Sequence, residues 1–302
     1  MGPRVHLIDA HVYIFRAYHA LPEMQAPDGT PTHAAYGFTN TLLRILAELE
    51  PTHLACCFDH SLVSFRNRLE LDYKAGRTEA PADLEPQFEL CLRASRALGI
   101  ASFSVPDFEA DDVIGTLCTG LLAHSASVVV MSSDKDLAQL VTEDGRVVHL
   151  DFARGRTLDA AGVREKFGVP PARIPDYLGL VGDAVDNLPG VPGIGPRSAA
   201  AILECFGALD DVPPPEDAKA WAEVGIRGAA RLAAALAEHR ERALRTRDLA
   251  TVRRDVPDLD SDPEALRYRG ADRGQVKRLF SRLGWGEIAT RIRRFADDPN
   301  GG

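Results

Sequence analysis

Apolar residues recur along the chain in two rhythms. Short unbroken runs, Val5-His6-Leu7-Ile8, Leu54-Ala55-Cys56-Cys57-Phe58, Val128-Val129-Val130-Met131 and Val147-Val148-His149-Leu150, have the length and β-branched content of buried strands. Between them the spacing turns helical. Residues 34–49 place Phe38, Leu42, Ile45, Leu46 and Leu49 on one face, and Val113, Ile114, Leu117, Leu121 and Leu122 repeat the pattern. Strands alternating with helices predict an α/β fold with a mostly parallel sheet flanked by helices.

The strand runs end in acids. Asp9, Asp59 and Asp134 each follow an apolar run, and Asp136 comes two positions after Asp134. The helix at 110–122 opens on Glu109-Ala110-Asp111-Asp112. In parallel α/β sheets ligands bind beyond the carboxyl ends of the strands, where all these acids fall. The helix dipole favours an acid at a helix start by about 0.3–1 kcal/mol, and three together repel one another by a similar amount. Singly, each Asp reads as a loop or cap residue and the helix start as a solvated acidic turn. Together, with no His or Cys partners in ligand spacing, they suit a hard divalent ion such as Mg²⁺ or Mn²⁺.

Composition narrows the class. The 302 residues are 45% hydrophobic and 26% charged, ordinary for one or two globular domains, and carry a formal net charge of −9. That balance argues against a wholly basic surface but leaves room for local basic patches. Cys56, Cys57, Cys91, Cys118 and Cys205 form no metal-binding spacing and are expected as reduced core residues in a cytoplasmic protein. No apolar run is long enough for a membrane span, and the start, Met1-Gly2-Pro3-Arg4, predicts no signal peptide.

Three stretches depart from the sheet rhythm. Residues 61–94 carry Arg66, Arg68, Tyr73, Lys74 and Arg77, and read as a basic, aromatic-bearing insertion or as a solvated helical excursion. Composition shifts after Phe167-Gly168-Val169-Pro170-Pro171, which places a domain boundary near 168. Beyond it, Gly182-Asp183 through Asp186 leads to Gly190-Val191-Pro192-Gly193-Ile194-Gly195-Pro196-Arg197-Ser198, a glycine hairpin opening a helix at 197–206. Bare N–H groups and a positive dipole end there suit a phosphate, though a plain structural turn stays open. Residues 210–217 read as a linker, 227–249 and 275–294 as helical, and 297–302 as a loose tail.

These motifs, taken in order, make the sequence resemble the bacterial 5′ nuclease family of flap endonucleases and the 5′→3′ exonuclease domain of DNA polymerase I. The resemblance rests on Leu7-Ile8-Asp9 with Phe15-Arg16-Ala17-Tyr18-His19-Ala20, Phe58-Asp59, Tyr73-Lys74-Ala75-Gly76-Arg77, Glu109 to Gly115, Ser133-Asp134-Lys135-Asp136 to Val141, and the hairpin. It departs at His60 to Ser64, which lack the usual Gly/Lys character, and at Arg197-Ser198 in place of Lys-Thr.

The resemblance implies a PIN-like catalytic domain at 1–168, with a helical arch at about 61–94. It implies a helical DNA-binding domain of the helix-three-turn-helix (helix-hairpin-helix) type at 169–302, with the hairpin at 182–206. Asp9, Asp59, Glu109, Asp111 and Asp112 would hold one ion, and Asp134, Asp136, Asp183 and Asp186 a second. Lys74 and Arg77 would meet the scissile phosphate, Tyr73 a base, and Arg16 would be a further DNA-binding residue. Gly190, Val191, Gly193, Ile194, Gly195, Arg197 and Ser198 would grip duplex, with K⁺ at the hairpin.

The implied activity is a two-metal 5′ nuclease in replication and repair, acting on DNA with 5′ ends or flaps as a free-standing monomer beside a separate polymerase. Alternatives are a PIN-type ribonuclease and a DNA junction-binding module whose acids only brace the fold.

Overall fold

The computed structural model describes residues 2–61, 63–76 and 80–298. In chain order the elements are β1 (Arg4–Asp9), α1 (Ala10–Ala20), α2 (His33–Leu49), β2 (His53–Phe58), α3 (Phe65–Leu69), α4 (Glu85–Ala97), β3 (Ala101–Ser104), α5 (Ala110–Ala123) and β4 (Ser127–Met131). There follow β5 (Val147–Asp151), β6 (Arg156–Leu158), α6 (Ala160–Phe167), α7 (Ile174–Val181), β7 (Gly182–Asp183), β8 (Leu188–Pro189) and α8 (Pro196–Phe206). The chain ends with α9 (Ala218–Glu223), α10 (Ala229–Glu238), α11 (Arg240–Ala250), α12 (Arg273–Leu283) and α13 (Gly286–Ala289).

The chain forms two compact units, one of residues 2–61, 80–133 and 253–298, the other of 63–76 and 134–252. In the first, four strands run parallel in the order β3-β2-β1-β4. β1 is central: Ile8 lies opposite Cys56 on one side and Met131 on the other. Both faces of these strands are covered, which is why their sequences read as unbroken apolar runs. Leu7, Ile8, Ile14, Phe38, Leu42 and Ile45 are fully buried, each contributing about 1.5–3 kcal/mol by leaving water. The short strand β3 went unforeseen because its Ala101-Ser102-Phe103-Ser104 sequence is half-buried and weakly apolar.

The second unit packs its helices on a core that includes Ala138, Val163, Ile174, Leu180, Ile202 and Leu236. Here β5 pairs antiparallel with β6, a strand with no apolar signature. The boundary read near 168 falls inside this unit. Gly168, at φ 75°, ends α6 with a left-handed turn, while Val163 and Val169 share one core. The helical stretch at 227–249 divides at His239, and that at 275–294 stops at Gly284, φ 73°. α9 lies just beyond the linker reading.

Cys56, Cys57, Cys91 and Cys118 are buried free thiols; Cys205 is exposed, a correction to its placement in the core. Among the described residues no helix is long and apolar enough to cross a membrane.

Candidate functional site

In the first unit the parallel strands carry Asp9 and Asp59 to the same end of the sheet. Asp9 is the last residue of β1, and its Oδ2 accepts a 2.7 Å hydrogen bond from Ser132 Oγ, just past β4. Asp59 follows β2; its Oδ1 accepts from Ala110 N at 2.7 Å, and its own N–H donates to His11 Nδ1 at 3.2 Å. That bond makes Nδ1 the acceptor, so the neutral His11 ring carries its proton on Nε2. A cleft of about 630 Å³ opens here, lined by His11, Phe58, Asp59, Phe88 and Ser104 among others.

Glu109 is the N-cap of α5 and is buried. Asp112 is fully buried and accepts backbone N–H groups on both oxygens, from Glu109 at 3.2 Å and from Arg253 at 2.9 Å. It braces the helix start. Burial pushes the Cys57 thiol well up, and the nearby charges of Asp9 and Asp111 add to the effect.

In the second unit four further acids gather. Asp134 Oδ1 accepts the N–H of Asp136 at 2.9 Å, where a short 3₁₀ turn at Asp136–Leu140 begins. Asp183 ends β7; its Oδ1 accepts from Val185 N at 2.9 Å, and its Oδ2 lies 2.7 Å from Lys135 Nζ. Asp186 Oδ2 accepts from the Tyr73 hydroxyl at 3.2 Å and stands 4.0 Å from Lys74 Nζ. Asp136 Oδ1 is buried without a hydrogen-bond partner among the described residues. Burial, then the charges of Asp134 and Asp183, push the Asp136 carboxyl up to about 8. Among the described residues no three carboxylate, imidazole or thiol groups yet stand as a ready-made ion site. The donor set still fits a hard cation: all-oxygen, crowded with like charge, with one buried oxygen left unsatisfied.

The hairpin is built by close backbone approach. A Cβ on Gly190 would meet the Val181 carbonyl carbon at 2.4 Å, and one on Gly182 would meet Gly190 N at 2.4 Å. Val191 and Ile194 are buried anchors in the core of the second unit. Gly193 takes φ 84°, and α8 starts beyond Gly195 with Arg197 exposed and Ser198 half-buried.

Two family models match end to end: "5'-3' exonuclease, N-terminal resolvase-like domain" over residues 4–168 and "5'-3' exonuclease, C-terminal SAM fold" over 169–274. The chain belongs to the 5'-3' exonuclease family. DNA polymerase I of Bacillus caldotenax is 38% identical over 290 residues, covering 94% of this chain and 32% of that protein. DNA polymerase I of Pseudomonas aeruginosa is 41% identical over 268 residues, covering 86% of this chain and 28% of that protein. The chain thus spans about a third of the curated relatives it matches. T5 5'-exonuclease with bound divalent metal ions (zinc) has a TM-score of 0.64 at 21% identity, covering 95% of this chain and 99% of that one. The catalytic core of Rad2 in complex with DNA substrate reaches 0.58 at 16% identity, covering 96% of this chain and 93% of that one. Both share its fold.

Within this 5'-3' exonuclease frame one expectation is corrected. Tyr73, expected to stack on a base, is buried at 3% exposure in the core of the second unit. Its hydroxyl is held by Asp186, and Lys74 Nζ stands 5.0 Å from its ring centre. Arg16 is exposed on α1. Arg77 lies outside the described residues. Sequence reading missed His11, Ser132 and Lys135. The first two touch acids that are remote in sequence, while Lys135 was signalled by its place between Asp134 and Asp136.

Proposed function

We propose that this chain hydrolyses phosphodiester bonds in DNA at 5′ ends and flaps, as a divalent-ion-dependent 5′→3′ exonuclease and flap endonuclease. The observation that carries the reading is the buried, unsatisfied Asp136 oxygen beside Asp134 and Asp183 in a chain of the 5'-3' exonuclease family. Such an arrangement is costly unless a cation is taken up. T5 5'-exonuclease, of the same fold, binds divalent metal ions.

In this reading Asp9, Asp59, Glu109 and Asp111 hold one Mg²⁺ or Mn²⁺ ion, with Asp112 bracing the start of α5, where Glu109 and Asp111 stand. Asp134, Asp136, Asp183 and Asp186 hold a second. When bound, such ions supply an acidified water and charge relief on the phosphoryl and leaving oxygens. Ser132 and Ala110 N–H fix the orientation of Asp9 and Asp59. Lys74 leaves Asp186 to donate to the phosphate as charge develops, a role it shares with Arg77.

The hairpin from Gly190 to Gly195, with Arg197 and Ser198 at the start of α8, grips duplex through phosphates, with a K⁺ ion on its carbonyls. Sequence preference is then weak and salt dependence steep. The test is cleavage of a 5′-flap duplex with Mg²⁺, Mn²⁺ or EDTA, beside an RNA substrate of the same shape. Asp183→Asn should lower turnover by at least about 10²-fold, the scale of one lost electrostatic partner, while DNA binding survives. Undiminished cleavage in EDTA would sink the proposal.

A further inference from the structure

The second acid group already holds a cation of its own. Lys135 Nζ lies 2.7 Å from Asp183 Oδ2, and Asp183 is nearly closed to solvent at 4% exposure. The other Asp183 oxygen accepts from Val185 N, so Lys135 and Val185 between them engage both carboxylate oxygens. The ammonium also lies within the field of Asp134 and Asp136. Lys74 Nζ lies 4.0 Å from Asp186 Oδ2, and its charge also acts on Asp134.

Resting on the metal reading above, we propose that Lys135 is a built-in counter-cation: it holds the Asp183 place while the second ion is away and weakens that ion's binding by competing for the same oxygen. Two cations on one carboxylate oxygen repel, and in a largely buried pocket the repulsion is poorly screened. The ion therefore enters only as the ammonium swings out along its flexible stem. Lys135 has room to do so, since its side chain is 40% exposed. The device keeps the acid group folded without metal and leaves the second site weaker than its charge alone would make it.

The experiment titrates Mn²⁺ into the metal-stripped full chain without DNA, counting bound ions from the loss of the free-ion electron paramagnetic resonance signal. Lys135→Gln should tighten the weaker ion by roughly tenfold, the effect of removing one nearby charge. Lys135→Arg, which keeps the charge, should stay near wild type. Thermal unfolding adds a readout independent of ion counting: Lys135→Gln should melt lower than wild type in EDTA, yet match it in saturating Mn²⁺. Asp183→Asn runs in the same series and should delete the weaker ion. If it does while Lys135→Gln binds that ion no more tightly than wild type, the counter-cation role is wrong and the metal reading stands. If Asp183→Asn leaves every bound ion in place, the second-ion reading fails and this inference falls with it.

Discussion

Ser132 Oγ donates a 2.7 Å hydrogen bond to Asp9 Oδ2, joining the residue after β4 to the last residue of β1. The two strands are parallel neighbours, with Ile8 opposite Met131, so the next step along each brings hydroxyl and carboxylate together. Both residues are buried. Ser132→Ala should cost about 1–3 kcal/mol, as a buried acceptor loses a donor, and weaken the first ion by about tenfold or more. Urea denaturation and Mn²⁺ titration check the two effects; Ser132→Thr should restore most of each.

Lys74 separates chemistry from affinity. Its ammonium is near Asp186 and its backbone N–H donates to Asp186 O at 3.0 Å, so the backbone bond survives loss of the side chain. Lys74→Ala should lower single-turnover cleavage of a flap by about 10²-fold and leave the dissociation constant near wild type. A loss confined to affinity would show that Lys74 has no part in the chemical step.

His149 governs an acid limb. It is buried in β5, its Nε2 has no partner among the described residues, and burial pushes its pKa down from 6.5 to about 4. Between those values the unfolded chain binds a proton that the folded chain refuses. Stability is therefore whole above about pH 6.5 and drains as pH falls toward 4, by at most about 1.4 kcal/mol per pH unit. His149→Phe should flatten that limb when unfolding free energy is followed against pH.

Gly190 tests the hairpin. A methyl group there runs into the Val181 carbonyl carbon at 2.4 Å and Gly182 N at 2.6 Å, both backbone atoms that cannot swing aside. Gly190→Ala should destabilise the fold by about 1–3 kcal/mol. Its duplex affinity should fall by about tenfold, equivalent to about 1.4 kcal/mol, as read by fluorescence anisotropy. Unchanged affinity would remove the hairpin from the DNA-binding surface.

By itself the sequence determined the strands of β1, β2 and β4, the helices α2 and α5, and the acids at their ends. Those features are local: an unbroken apolar run, a helical spacing and an acidic first turn are written in consecutive residues. It also marked the glycine hairpin, because only glycine tolerates the backbone approach at Gly182 and Gly190. Tertiary structure decided what each acid faces. Asp59 met Ala110 N and His11, Asp9 met Ser132, Asp183 met Lys135, and Tyr73 was folded inward onto Asp186. It also decided that β5 turns antiparallel into β6, and that Cys205 is exposed while the other cysteines are buried. Partners remote in sequence are chosen by packing and strand register, and no single stretch of chain encodes that choice.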